Sequence, residues 1–137
     1  MKRLLRFLGI SAATAGAGCQ TDRVAGPAPT HGPGALDARL TTPNSDDGAL
    51  LVELRGGPID SITSSSYEIA ALESDSGMYR VLVRGAIDGG ALLRVWVPER
   101  SDRTAYVVSV VDAVGRVSYN RRDVTNYAVS VGTAADR

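Results

Sequence analysis

Few side chains in this sequence could do chemistry. Cys19 is its one cysteine, His31 its one histidine and Lys2 its one lysine. A Ser-His-Asp or Cys-His nucleophile needs an imidazole inside the fold. A Ser-Lys dyad, a Schiff base or a phosphate-binding loop needs a lysine. His31 lies in a Pro- and Gly-rich stretch and Lys2 at the N-terminus, so neither is placed for such work. The Cys and His cluster that holds zinc is missing too. A carboxylate pair is what remains for catalysis, drawn from Asp46, Asp47, Asp60, Asp88 and Asp112. Hydrolysis by such a pair needs the two acids on opposite sides of a scissile bond, which adjacent acids in a turn do not provide. The expectation is a protein that is not an enzyme and carries no cofactor.

Three smaller constellations could bind rather than catalyse. Asp46 and Asp47 could contribute oxygens to calcium, but Asn44-Ser45-Asp46-Asp47-Gly48 is also ordinary turn chemistry, with Asn44 and Asp46 accepting from nearby backbone N–H groups. No metal is therefore expected, Asp46 and Asp47 being weak candidates. Arg121-Arg122 could take an anion and is expected to be a solvated loop tip. Trp96 is the single tryptophan. Flanked by Arg80, Arg84 and Arg94, it would make a flat apolar platform edged with guanidinium groups, suited to a sugar ring or an acidic partner if open to solvent. If covered, it serves packing, with the arginine stems laid over it.

The elements that must position these residues are short strands. From about residue 35 to 133 apolar residues alternate with polar ones, and turn residues recur about every eight to twelve positions. Leu36, Ala38 and Leu40 alternate with Asp37, Arg39 and Thr41, and Leu50, Val52 and Leu54 with Glu53 and Arg55. Weaker segments run over 59–63 and 67–72, stronger ones over 79–87, 91–97, 105–114 and 127–131. No amphipathic helix is expected. About seven to nine antiparallel strands in one domain predict an all-β, Ig-like or cohesin-like sandwich with apolar inner faces. Around Asp88-Gly89-Gly90 a three-residue hairpin loop would set Val83 opposite Val95 and Val81 opposite Val97, with Gly90 in the left-handed conformation. The other face of that hairpin would carry Arg80, Leu82, Arg84, Leu92, Arg94 and Trp96.

Ahead of the domain lie a basic head, MKRLLR, an apolar run, FLGISAATA, and tiny residues up to Cys19, the three parts of an export signal over 1–18. The apolar run is shorter than the roughly 20 residues of a membrane span. Residues 19–34, with Pro27, Pro29 and Pro33 among Gly and Ala, read as a disordered tether, and 134–137 as a disordered tail. From Cys19 onward there are 12 arginines against 15 acids, a net charge of 12 − 15 = −3, which gives nucleic acid no basic footprint.

Gly16-Ala17-Gly18-Cys19 resembles the lipobox of bacterial lipoproteins. That resemblance implies a lipid-bearing Cys19 at the mature N-terminus, with membrane lipid as its first partner, and Gln20 after it is similar to the outer-membrane sorting pattern. The single cysteine agrees, since an exported chain has little use for one odd thiol. The competing processing is cleavage after Ala15-Gly16-Ala17, giving a soluble periplasmic or secreted protein. The runs TTPNSDDGALLVEL, GGPIDSI, VLVRGAIDGGALLRVWVP and YVVSVVDAVGRVSYNRRD resemble small bacterial envelope proteins with no assigned activity. More distantly the strand order is similar to cohesin and carbohydrate-binding sandwiches, a likeness of fold that implies no function by itself. Two functions are carried forward: a binding or adhesion module for an envelope glycan or protein, and a structural protein that assembles through sheet edges.

Overall fold

A computed structural model describes residues 31–134. The signal segment, Cys19, the tether up to residue 30 and the last three residues lie outside the described part. Eight strands follow one another: β1 (Gly34–Thr41), β2 (Asp47–Arg55), β3 (Ser61–Thr63), β4 (Glu68–Glu73), β5 (Tyr79–Ile87), β6 (Gly90–Val97), β7 (Val107–Gly115) and β8 (Ala128–Thr133). They form two four-stranded antiparallel sheets, ordered β3-β6-β1-β8 and β4-β5-β2-β7. Period-two alternation turns the apolar face of each sheet inward. Leu36, Ala38, Leu40, Val95 and Val97 from one sheet and Leu50, Val52, Leu54, Val81 and Val83 from the other are all buried in a single core. The domain is thus an all-β sandwich, as the alternation predicts. A 3-10 turn over Arg100–Ala105 precedes β7, so the expected strand at 105–114 starts two residues later.

The expected β5–β6 hairpin does not form. β5 pairs with β2 and β4, while β6 pairs with β1 and β3. Asp88-Gly89-Gly90 carries the chain from one sheet to the other, with Gly89 at φ 106° and Gly90 at φ 84°. The left-handed Gly90 is as expected, but the four valines meet across the core instead of side by side. Inward alternation is the same in both arrangements, so the pattern that fixes the buried face says nothing of the neighbouring strand.

Three irregularities shape the surface. Across β1 and β6, Ala38 faces Leu93 but Arg39 faces Ala91; Leu92 is the extra residue of a bulge, which lets adjacent Leu92 and Leu93 both be buried. Across β2 and β7, Leu51 faces Asp112 and Val52 faces Val110, leaving Val111 unopposed and 43% exposed. A third shift falls between Asp47 and Ala49 against both neighbours. There a Cβ on Gly48 would lie 2.6 Å from the Cα of Arg116. Against β7 the extra residue is Gly48 on β2, and against β5 it lies on β5; the β2 bulge inverts the alternation, so Asp47 is fully buried like the even-numbered Leu50, Val52 and Leu54.

Residues 31–34, expected in the tether, are held by the domain. Gly32 N–H donates to Glu99 Oε1 at 2.8 Å, and Arg100 Nη2 to the His31 carbonyl at 3.2 Å. Arg100 is itself buried and lies so close over Gly34 that a Cβ there would sit 2.5 Å from its Cδ. The His31 side chain is exposed. At the other end, Ala134 is buried and donates to the Ala35 carbonyl.

Candidate functional site

The outer face of the β3-β6-β1-β8 sheet is built from the residues that alternate with the core. Its rows follow the pairing register: Ser61, Trp96 and Ala35 lie side by side, then Thr63, Arg94, Asp37 and Gly132, then Ala91, Arg39 and Ser130. Apart from Trp96 and the charged residues, these are small side chains, so the indole stands above its neighbours. Trp96 is 44% exposed, which rules out a wholly covered tryptophan. Asp37, Arg39, Thr63, Ser64, Arg94 and Trp96 line a recess on this face.

Arg94 and Asp37 fix one corner of the recess. Arg94 donates from Nε to Oδ1 at 2.9 Å and from Nη2 to Oδ2 at 3.2 Å, the fork-to-fork geometry in which both planar groups are held in one orientation. The Asp37 carboxylate drives the Arg94 pKa still higher, first by hydrogen bonding and then by charge. Arg39 is exposed and forms no ion pair among the described residues. Ser64 Oγ donates to the Leu92 carbonyl at 2.9 Å, tying the loop after β3 to the rim. The arrangement offers an indole face for stacking, one oriented guanidinium–carboxylate pair, one free guanidinium and several hydroxyls. It holds no nucleophile–base pair.

Arg80 and Arg84, expected beside Trp96, are on the other sheet because β5 is. Arg80 donates to Glu53 Oε1 at 3.2 Å, Arg84 lies 3.7 Å from Glu68 Oε2, and Leu82 stands between Ala70 and Leu51. Leu92 is buried. The six-residue face is therefore corrected to two separate surfaces: Arg80, Leu82 and Arg84 share the outer face of β5, and Trp96 keeps only Arg94 beside it. Asp37 and Arg39 take the place of the absent arginines. Their outward orientation is visible in the alternation of β1, but their position beside Arg94 depends on β1 and β6 being neighbours.

Asp46 and Asp47 do not cap their own turn. Asp47 accepts from Thr42 Oγ1 at 2.9 Å and from the Tyr127 hydroxyl, which is 2.9 and 2.8 Å from its two oxygens. Asn44 Nδ2 in turn donates to the Tyr127 oxygen at 2.7 Å. Arg122 donates to Asp46 at 2.7 Å and lies 3.8 Å from Asp47. The carboxylates serve a side-chain network that joins β2 to the β7–β8 connection. No group of three or more His, Cys, Asp or Glu that could hold a metal occurs among the described residues. Of Arg121-Arg122, the first is solvated as expected, its side chain 80% exposed while it forks onto Asp112, whereas Arg122 is largely sequestered between Asp46 and Asp47.

No protein family, curated protein or solved structure was found to match this chain. No helix among the described residues is long and apolar enough to cross a membrane.

Proposed function

We propose that this chain is an exported binding module, anchored by lipid on Cys19 and without catalytic activity of its own, which engages an envelope glycan or protein through the Trp96 recess. The observation that carries this reading is the half-exposed indole on a sheet of otherwise small side chains, beside an Arg94–Asp37 pair already held in place. An aromatic face and a planar guanidinium suit the flat face and hydroxyls of a sugar ring, or an acidic side chain. Because the pair is already oriented, little ordering entropy is lost on binding.

The full chain is to be tested on a glycan array and in pulldowns from envelope extract, beside Trp96→Ala. Binding should fall by more than about ten-fold, since truncating a central aromatic anchor costs about 2 kcal/mol or more. Stability to urea should change by less than about 1 kcal/mol, as for a surface substitution. Undiminished binding by Trp96→Ala would remove the recess from consideration. The anchor has its own test: Cys19→Ala should accumulate as precursor or leave the membrane fraction, because stable attachment needs about two acyl chains. Full membrane retention of a correctly processed Cys19→Ala chain would argue for a different attachment.

A further inference from the structure

The geometry points to a second copy of this chain pairing antiparallel with β4, so that two β4-β5-β2-β7 sheets become one continuous sheet across a two-fold axis. A strand at a sheet edge presents unpaired N–H and C=O groups and templates pairing unless something blunts it. Three of the four edges are blunted. β3 is only three residues long. β7 bulges at Val111, and its end is closed by the chain that follows: Arg122 N–H donates to the Ala113 carbonyl at 2.8 Å and Gly115 N–H to the Asn120 carbonyl at 3.0 Å. Beside β8, Val129 and Val131 share a recess with Arg103, Thr104 and Tyr106 of the 3-10 turn and its flank. β4 is different. It pairs with β5 over six consecutive residues without a register shift, and its other edge meets no strand among the described residues. Its sequence, Glu68-Ile69-Ala70-Ala71-Leu72-Glu73, has no Pro, Gly or Lys to discourage a neighbour.

The side chains select the occupant and the register. Opposite residues in an antiparallel pair must lie on the same face, so a two-fold axis has to pass through a residue, not between two. With the axis at Ala70, Ala70 meets Ala70 of the second copy, Ile69 meets Ala71, and Glu68 meets Leu72. Glu73 then falls opposite Tyr67, so no carboxylate faces another. Moving the axis to Ala71 would set Glu73 beside Ile69 on the core-facing side. On the outer face, Leu82 of β5 lies next to Ala70, and Leu72 is 72% exposed. The paired edges would gather Leu82, Ala70 and Leu72 of both copies into one apolar strip across the axis. Alanines at the centre let the backbones approach without obstruction.

A six-residue edge with one exposed leucine per copy buries less than the roughly 1,200 Å² of a stable interface. The dimer is therefore weak in solution and is favoured where chains are confined to a shared surface, which raises their effective concentration. This pairing is independent of what the Trp96 recess binds.

Sedimentation equilibrium of the full chain carrying Cys19→Ser, from low to high micromolar concentration, should show reversible monomer–dimer association. Ala70→Lys places two ammonium groups opposite each other at the axis and should raise the dimer dissociation constant by more than about ten-fold, leaving the urea midpoint unchanged. In the same Cys19→Ser background, Ala70→Cys should form a disulfide-linked dimer on mild oxidation, because opposite Cβ atoms are about 5 Å apart. Ala71→Cys, which faces Ile69 of the second copy, should not. A chain that stays monomeric throughout, an Ala70→Lys variant that still dimerises, or cross-linking through Ala71→Cys as readily as through Ala70→Cys would each overturn the proposal.

Discussion

Asp47→Ala should lower the stability of the domain by about 3 to 5 kcal/mol, the usual cost of removing one member of a buried, hydrogen-bonded charge network. The carboxylate is fully buried and accepts from both Thr42 and Tyr127. Without it those two hydroxyls lose their acceptor, and Arg122 keeps only Asp46. Tyr127→Phe should cost less, about 1 to 3 kcal/mol, because it orphans a single carboxylate interaction and the Asn44 amide. The two changes should be less than additive, since both act on one network. The network also sets an alkaline limit. Burial, and then the Asp47 carboxylate, push the Tyr127 pKa up, and burial does the same first of all for Tyr67, Tyr79 and Tyr106. A phenol whose folded pKa exceeds its unfolded value of about 10 contributes stability that is complete below that pH and is lost as pH rises through the folded value. The phenolate absorbance of these four tyrosines should therefore rise together with loss of the β-sheet circular dichroism signal. Urea unfolding of Asp47→Ala with a loss under about 1 kcal/mol, or ionisation of Tyr127 well before unfolding, read as the absorbance difference from Tyr127→Phe, would contradict this account.

The core was legible in the sequence because it depends only on alternation. Leu36, Ala38 and Leu40, Leu50, Val52 and Leu54, and the four valines of β5 and β6 are inward in the structure as they are in the pattern. Whatever depends on neighbours was not legible. Strands side by side and strands face to face obey the same alternation, so the β5–β6 connection reads as a hairpin although it crosses between sheets. Trp96 was visible as the one large aromatic of its strand, with Arg94 beside it, but its companions from β1, Asp37 and Arg39, were not: Asp37 and Arg94 are 57 residues apart in sequence, and their pairing follows from β1 lying beside β6. Asp47 was misplaced for a different reason. Counted back from Leu50, it should point to solvent, and only the extra residue that Gly48 makes against β7 turns it inward. A glycine after two acids reads as a turn, and nothing in the composition separates a turn from a bulge that begins a strand.

Tyr106→Ala should be the other large loss, about 3 to 5 kcal/mol, as for truncation of a buried aromatic side chain. Tyr106 is 5% exposed, packs against the core and donates its hydroxyl to the Pro58 carbonyl at 2.7 Å. It follows the 3-10 turn, whose N-cap is Glu99, accepting from Ser101 N–H. The same Glu99 holds Gly32, so the entry to β1 and the approach to β7 share one anchor. The ring needs space that only glycine leaves. Gly56 is at φ 150°, and a Cβ there would lie 2.7 Å from Tyr106 Cδ1 and 2.9 Å from its Cα. Tyr106→Phe keeps the packing and removes one hydrogen bond, so it should cost only about 1 kcal/mol. Gly56→Val should be severe by two routes, about 1 to 3 kcal/mol of backbone strain and a steric conflict with backbone as well as ring. Combining Tyr106→Ala with Gly56→Ala separates these routes. If the ring were the main obstacle, the pair would be markedly less damaging than the sum of the single changes. The contacts with the Tyr106 Cα and, at 3.0 Å, with the Ala105 carbonyl remain after the ring is gone, so most of the Gly56→Ala penalty should persist. Near-complete rescue in urea unfolding would show that the Gly56 backbone relaxes once the aromatic ring is removed, and that this end of the sandwich is held by side-chain packing alone.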